Sequence, residues 1–318
     1  MPKTPALRLV PLAAALAMMG LLQGCDLAPP KAPPPVRPAP RVEPKPAPAP
    51  DPASLAAQAH FARVQSSLIA RGLLRTDGGG TDTPFGTRQL VDNFVRIALY
   101  DEYVGRGGTL TARQQPAALR RWERPVRIGV RFGASVPAED RARDRAQVAA
   151  YAARLARASG HPVSFVDQGA NYWLYIVGET ERKGYGPEWA ALFPGLTPDD
   201  LLPVTQMPMS TFCMVLAISD GESPVYTGGL AVIRAELPDL LRLSCIHEEL
   251  AQGLGLANDS PVARPTIFND DEEFALLTRH DELLLKMLYD PRLRPGMREA
   301  EARPVLERIA PGLVGGGS

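Results

Sequence analysis

Residues 245–259 read CIHEELAQGLGLAND, and this stretch decides how the rest of the chain is interpreted. Its apolar residues recur at helical spacing, which predicts an α-helix with one buried face. Carboxylates and an amide interrupt that pattern at Glu248, Glu249 and Gln252. Gly255 then predicts a tight turn that ends the helix. The sequence therefore predicts a buried helix that carries polar side chains into a glycine turn.

The polar residues of this helix fit the frame of the zinc-peptidase signature H-E-x-x-H-x-x-G-x-x-H. The positions of the three His ligands are occupied by Glu248, Gln252 and Asn258, whereas the general base and the glycine are kept as Glu249 and Gly255. In that signature, ligands four residues apart share one helical face. The base is turned about 100° from the first ligand, and the glycine lets the chain bend back toward the third. The stretch thus resembles a metzincin helix without its His ligands.

The side chains at these positions argue against zinc, which prefers imidazole and thiolate ligands. Their oxygen atoms, together with the adjacent Asp259, suit calcium, magnesium or manganese. His247 stands one position outside the ligand register, and His280 is expected to be exposed at a polar helix start. We predict no zinc and no cofactor, with an oxygen-liganded divalent cation as the weaker alternative.

Two functional interpretations of the helix remain open. A buried carboxylate without a partner is costly, so Glu248 and Glu249 must be solvated in a cleft or bound by neighbouring groups. The favoured interpretation is a non-catalytic domain that acts in binding or as a scaffold. The alternative is a hydrolase that acts on peptides or peptidoglycan, with or without a metal ion, in which Glu249 is the general base.

The first 24 residues are typical of a bacterial export signal. Two basic residues precede an apolar run over residues 9–22, which is too short for a membrane span. Leu22-Gln23-Gly24-Cys25 then resembles a lipobox, so Cys25 is the predicted lipidation site. Lipidation by more than one acyl chain gives a stable anchor. We therefore expect a protein that is lipid-anchored to an envelope membrane and faces the periplasm.

Two cysteines remain once Cys25 is assigned to lipid. Cys213 and Cys245 form an even pair in a compartment where disulfides persist. A bridge between them would fix the motif helix to the sheet that precedes it. Two buried thiols are the alternative, because free Cys is among the most buried residue types.

The charge balance of the chain argues against nucleic acid as a partner. The chain has 35 basic and 35 acidic residues, so its net charge gives no attraction for nucleic acid. The expected partners are the membrane, through the lipid on Cys25, and an envelope protein, a peptide or peptidoglycan.

The composition divides the chain into five segments. After a signal peptide at 1–24, residues 25–53 form a predicted linker, because residues 29–52 include 12 prolines in 24 positions. Such a stretch favours polyproline II and reaches on the order of 75 Å. A helix that begins at Ser54 and a flexible glycine-rich loop make up 54–86. Residues 87–311 form the predicted globular domain, and 312–318 a disordered tail.

Periodicity within the globular domain predicts an α+β fold, a mixed sheet packed with helices. Residues 172–177 are apolar on both faces, so they are expected to form an interior strand. Residues 187–208 are predicted to be an irregular, proline-rich excursion. A helix capped at Thr87 is expected to end near Gly105. The other predicted strands are 126–132, 163–166, 212–218 and 225–235, and the other predicted helices begin at Pro137, Pro238 and Thr278.

Further motifs follow the helix, and together they carry a resemblance. The chain reads PTIFNDD at 265–271, LTRHD at 277–281 and LYDPRLRPGM at 288–297. With 245–259, these stretches resemble the DUF2927 family of proteobacterial lipoproteins over roughly residues 87–297. The family motif E-E-x-x-Q-x-L-G-L-x-N-D is matched at Glu248, Glu249, Gln252, Leu254, Gly255, Leu256, Asn258 and Asp259. The resemblance implies a zincin-like, metzincin-type domain and leaves its chemistry open.

Overall fold

A six-stranded mixed sheet lies at the centre of the computed structural model, which describes residues 49, 51–106, 109–269 and 271–315. The strands are β1 (Tyr100–Arg106), β2 (Thr109–Pro116), β3 (Arg121–Trp122), β4 (Val126–Phe132), β5 (Val163–Phe165), β6 (Tyr172–Val177), β7 (Cys213–Ser219) and β8 (Val225–Arg234). The helices are α1 (Pro52–Ala70), α2 (Thr87–Ala98), α3 (Ala138–Ser159), α4 (Glu179–Arg182), α5 (Gly186–Leu192), α6 (Leu202–Thr205), α7 (Asp239–Gln252), α8 (Arg279–Leu288) and α9 (Glu299–Val314).

The sheet is parallel except at one edge. Its strand order is β3-β8-β6-β4-β5, and all of these pairs are parallel. β7 pairs with β8 in the antiparallel sense, with Cys213 opposite Ile233 and Leu216 opposite Leu230. Among the described strands, β1 and β2 form a separate antiparallel hairpin. The predicted α+β class and the mixed sheet packed with helices are confirmed.

The sheet separates two apolar cores, as expected for an interior strand that is apolar on both faces. Alternate residues of β6 point to opposite sides. Leu174 and Ile176 enter the larger core with α2, α3, α7, α8 and α9, whereas Trp173 and Tyr175 enter the smaller one. The smaller core is closed by Trp189 of α5 and by neighbouring residues of the proline-rich excursion.

Three elements differ from the sequence prediction. The helix that begins at Thr87 ends at Ala98, and the chain continues as β1 up to Arg106. The excursion contains the short helices α5 and α6. The C-terminal helix α9 was not predicted, because its interior positions Pro304 and Pro311 lack an N–H and break the helical pattern. Residues 312–314, predicted to belong to the tail, are therefore helical.

The helix α1 begins earlier than predicted and packs on the domain. Asp51 caps it through the backbone N–H of Ser54, at 2.9 Å, and Pro52 occupies its first turn. The Ser54 hydroxyl donates to Glu236 at 2.7 Å, and Phe61 packs edge-on against Phe212 with ring centroids 5.7 Å apart. Because these contacts join distant parts of the chain, α1 belongs to the folded unit.

Several predictions fall on residues that the structure does not describe. The signal peptide, Cys25 and all but the end of the predicted linker lie outside the described residues, as do residues 316–318. In the described part of the chain, no helix is both long and apolar enough to cross a bilayer.

Candidate functional site

The motif helix α7 is fixed to the sheet at its C-terminal end. The last carbonyls of a helix have few partners within the helix, so groups from other elements bind them. The Glu249 carbonyl accepts the Gly253 backbone N–H at 3.0 Å and a second hydrogen bond from the sheet. The Tyr172 hydroxyl donates to the Glu249 carbonyl at 2.5 Å, the Trp122 indole N–H to Gly253 at 2.8 Å, and the Tyr289 hydroxyl to Leu254 at 2.9 Å. Three buried or half-buried aromatic side chains thus hold the end of α7 and the start of the turn.

The turn after α7 requires glycine at position 255. Gly255 has a φ of +128°, and a Cβ atom there would lie 2.3 Å from the Arg120 carbonyl oxygen. Only glycine combines this backbone conformation with so close an approach. The glycine turn that the sequence predicts is therefore present, and it packs directly against the segment before β3.

The side chains at the second and third His positions are bound within the protein. The Gln252 amide donates to the Asp259 carboxylate at 2.9 Å. Asn258 is fully buried, and its amide donates to the Arg96 carbonyl at 2.7 Å. The Asn258 backbone N–H donates to the Ile97 carbonyl at 3.0 Å. Asn258 thereby ties the turn to the C-terminal end of α2.

The first His position and the expected base lie together near the edge strand. One carboxylate oxygen each of Glu248 and Glu249 and the sulfur of Cys213 lie within 4.8 Å of one another. Glu249 is 3% exposed, whereas Glu248 is half-buried. The Cys213 sulfur forms the predicted disulfide with Cys245, with the two Cα atoms 5.9 Å apart. Because a disulfide sulfur is not a thiolate, it does not supply the ligand that zinc prefers.

The nearby imidazole of His247 is part of the core. Its ring stacks on Tyr151 with centroids 3.9 Å apart, and its Nδ1 accepts the Leu277 backbone N–H at 3.1 Å. The Tyr151 hydroxyl donates to the His247 carbonyl at 2.7 Å. Burial lowers the pKa of His247 to about 3, with a further contribution from the positive charge of Arg154. His247 is therefore neutral at physiological pH and its Nδ1 is already occupied.

A second buried histidine was missed by sequence reasoning. His280 was expected to be exposed, but it is fully buried at the start of α8. Next to it, the Asp281 carboxylate accepts hydrogen bonds from Thr266, Ile267 and both the N–H and hydroxyl of Thr278. The Thr-x-x-Asp spacing of Thr278 and Asp281 is that of a capping box, so the sequence does signal the role of Asp281 at the start of α8. The tertiary contacts that bury His280 leave no such mark in the sequence.

These features define a mixed α+β domain in which a helix bearing acidic and amide groups ends at a glycine turn beside an antiparallel edge strand. The chain belongs to the DUF2927 family, described as "Protein of unknown function", whose model matches residues 87–308. Comparison of the chain with curated proteins and with solved structures found no match. The helix α1 precedes the matched region.

Proposed function

We propose that this protein is a lipid-anchored envelope protein whose domain is zincin-like, without zinc and without catalysis, and acts by binding a partner. The observation that carries the proposal is that two of the motif side chains form hydrogen bonds within the protein. Gln252 and Asn258 are bound to Asp259 and to α2, so two of the three former ligand positions serve the fold. A domain in which these positions stabilise the turn has the spacing of the peptidase motif, but the side chains at these positions do not serve catalysis.

The arrangement of the sheet supports the zincin-like part of the proposal. Zincins hold substrates along an edge strand, and here the antiparallel strand β7 lies at the sheet edge beside α7. The disulfide between Cys213 and Cys245 joins that strand to the motif helix. The glycine turn at Gly255 follows at the spacing of the metzincin frame.

The edge strand suggests how the partner binds. Within the described residues β7 pairs only with β8, so its other edge is available for strand addition by an extended peptide. The half-buried Glu248 lies close to Cys213, the first residue of β7. Acidic groups beside a strand-binding edge favour a partner with basic side chains, because complementary charges give specificity. We therefore propose an extended, basic peptide segment of an envelope protein as the partner.

Fluorescence anisotropy with a labelled peptide of alternating Val and Lys tests this binding mode. We expect saturable binding, weakened about tenfold by Glu248→Lys, because that change turns an attraction into a repulsion. The matched control is Glu222→Lys, an exposed residue of the turn between β7 and β8, which should leave the affinity within about twofold. Equal affinity for a peptide of alternating Val and Glu, or no effect of Glu248→Lys, would contradict the proposal.

The rival function is a hydrolase with Glu249 as general base. It is favoured by the closeness of the Glu248 and Glu249 carboxylates, and disfavoured by the burial of Glu249, since a general base must reach its substrate or a water molecule. A screen of peptides and muropeptides decides between the two. Turnover that disappears in Glu249→Gln would replace the binding proposal by this rival.

A further inference from the structure

The disulfide and two carboxylates meet at one place between α7 and the edge strand β7. One carboxylate oxygen each of Glu248 and Glu249 and the Cys213 sulfur lie within 4.8 Å of one another. The Cys245 sulfur is bonded to that of Cys213, so it lies beside the same group. Two sulfur atoms and two carboxylates are thus gathered at a single point.

The helix explains why three of these residues converge. Cys245, Glu248 and Glu249 occupy positions i, i+3 and i+4 of α7, and residues at these spacings lie on one face of a helix. The two glutamates are turned about 100° from each other, and Cys245 lies between them in angle. The strand β7, which begins at Cys213, brings the fourth residue to that face. The four groups are therefore carried by two regular elements and not by loops.

The surroundings of the group are largely closed to water. Cys245 and Glu249 are 2% and 3% exposed, whereas Cys213 and Glu248 are half-buried. Ionised carboxylates this close together repel each other, and the repulsion grows as water is excluded. A divalent cation between them would attract both carboxylates. The surroundings thus favour a cation, provided that the sulfur atoms can also bind it.

The redox state of the sulfur atoms decides what the group can hold. A disulfide sulfur is not a thiolate and is a poor zinc ligand. A dithiol reductant supplies two electrons and two protons, so the S–S bond breaks, Cys213 and Cys245 become thiols, and the dithiol becomes a disulfide. A metal ion that binds both sulfur atoms then releases their two protons to solvent. The reduced chain therefore offers two thiolates and two carboxylates.

We infer that the reduced chain binds one zinc ion through a set of four side chains, Cys213, Cys245, Glu248 and Glu249. Thiolate and carboxylate are both protein ligands of zinc, and four of them complete its tetrahedral coordination. The thiolates select zinc over calcium and magnesium, which take oxygen ligands. Four protein ligands leave no open position for a water molecule, so the ion is structural. It replaces the disulfide as the link between β7 and α7.

This site differs from the metzincin frame. It uses Glu248 at the first His position, but neither Gln252 nor Asn258, whose side chains donate hydrogen bonds within the protein. Glu249, which stands at the position of the general base, is a ligand here. Zinc binding belongs to the reduced chain, whereas the peptide binding proposed above belongs to the disulfide-bonded chain. The two proposals therefore stand or fall separately.

Zinc titration of the full chain with Cys25→Ser tests the site, because Cys213 and Cys245 are then its two remaining cysteines. The folded chain is reduced with dithiothreitol, freed of it by gel filtration without oxygen, and titrated with zinc in competition with a chromophoric chelator. We expect one zinc ion per reduced chain with a dissociation constant of about 1 μM or tighter. The disulfide-bonded chain should bind no stoichiometric zinc. Cobalt in place of zinc should show sulfur-to-metal charge-transfer absorption, which reports thiolate ligands.

Substitution of the carboxylates separates this site from a pair of thiols alone. Glu248→Gln and Glu249→Gln should each weaken zinc binding to the reduced chain about tenfold, because an amide lacks the charge of a carboxylate. The matched control Glu222→Gln, at an exposed residue of the turn between β7 and β8, should leave the zinc affinity within about twofold. Circular dichroism of each reduced chain shows whether the fold is kept.

Several results would overturn the inference. The disulfide of the folded chain could resist reduction, or the reduced chain could keep its native spectrum and bind no zinc. It could also lose that spectrum without recovering it on addition of zinc, or bind zinc equally well after both glutamate substitutions. Stoichiometric zinc in the disulfide-bonded chain would contradict the proposed function as well, whereas failure of peptide binding alone would leave the zinc site in place.

Discussion

At the residue scale, the polar side chains of the motif helix and its turn take part in holding the fold together. Gln252 and Asn258, which align with His positions of the metzincin pattern, each donate a hydrogen bond within the protein. Gly255 is required in the bend, because a Cβ atom there would overlap the Arg120 carbonyl. The identities of these residues were readable from the sequence. The directions of their hydrogen bonds were not, since α2 and the turn meet only in the folded chain.

His247 gives a residue-scale prediction about pH. Its folded-state pKa is lowered to about 3, so below the usual His pKa of about 6.5 the unfolded state binds more protons than the folded state. The contribution of His247 is therefore fully present above that value and is lost as pH falls toward the folded pKa. Lowering the pH from 7 to 5 should cost about 2 kcal/mol of unfolding free energy through this residue.

Chemical denaturation at both pH values measures this effect, with His247→Gln as the comparison because it has no titratable group at that position. The loss of stability between pH 7 and pH 5 should be about 2 kcal/mol smaller in the variant than in the wild type. An identical pH dependence in both proteins would show that the imidazole is accessible to solvent and protons.

At the scale of elements, strongly patterned segments were predicted and weakly patterned ones were missed. β4 alternates and β6 is apolar throughout, so both were found at their observed bounds. β1 and β2 have mostly polar sequences with little alternation, and α9 contains two prolines. Such elements depend on contacts with the rest of the fold, which a local pattern does not record.

The helix α1 is the element whose role the sequence least suggested. It precedes the family-matched region, yet its Gln65 side chain accepts the Leu241 N–H at 3.1 Å. That N–H is in the first turn of α7, which begins after Pro238 with no side-chain cap of its own. α1 therefore caps the motif helix, and its Phe61 lies in the core beside Phe212.

Substitution of Phe61 tests the docking of α1. Phe61 is fully buried, so Phe61→Ala should reduce the free energy of unfolding by about 3–5 kcal/mol. Leu55→Ala on the same helix is the control, because Leu55 is 53% exposed and its loss should cost no more than about 0.5 kcal/mol. Equal, small effects of both changes in urea denaturation would mean that α1 does not pack on the domain in solution.

At the scale of the whole molecule, the proposed anchor and the domain lie at opposite ends of a proline-rich segment. The described chain starts beside α4, because Ser54 at the first turn of α1 donates to Glu236, which also accepts the Glu179 backbone N–H at 2.6 Å. A lipid on Cys25 would thus hold the domain through residues 26–51.

Fractionation of envelope membranes tests the anchor. The wild-type chain should sediment with membranes, whereas Cys25→Ser should move it to the soluble fraction, because the lipid is the proposed attachment. Cys213→Ser is not a suitable control, since Cys213 forms the disulfide; Ser318→Ala at the other terminus serves instead. Continued sedimentation of Cys25→Ser would rule out the lipid as the sole anchor.

The metal content of the purified chain tests the central claim, a zincin-like frame that has lost its zinc. The frame positions hold Glu248, Gln252 and Asn258, and the nearby His247 and Cys213 are occupied in the core and in a disulfide. Inductively coupled plasma mass spectrometry of the chain, purified without chelators, should find zinc far below one ion per chain. One tightly bound zinc ion per chain, retained after dialysis against buffer, would contradict the account.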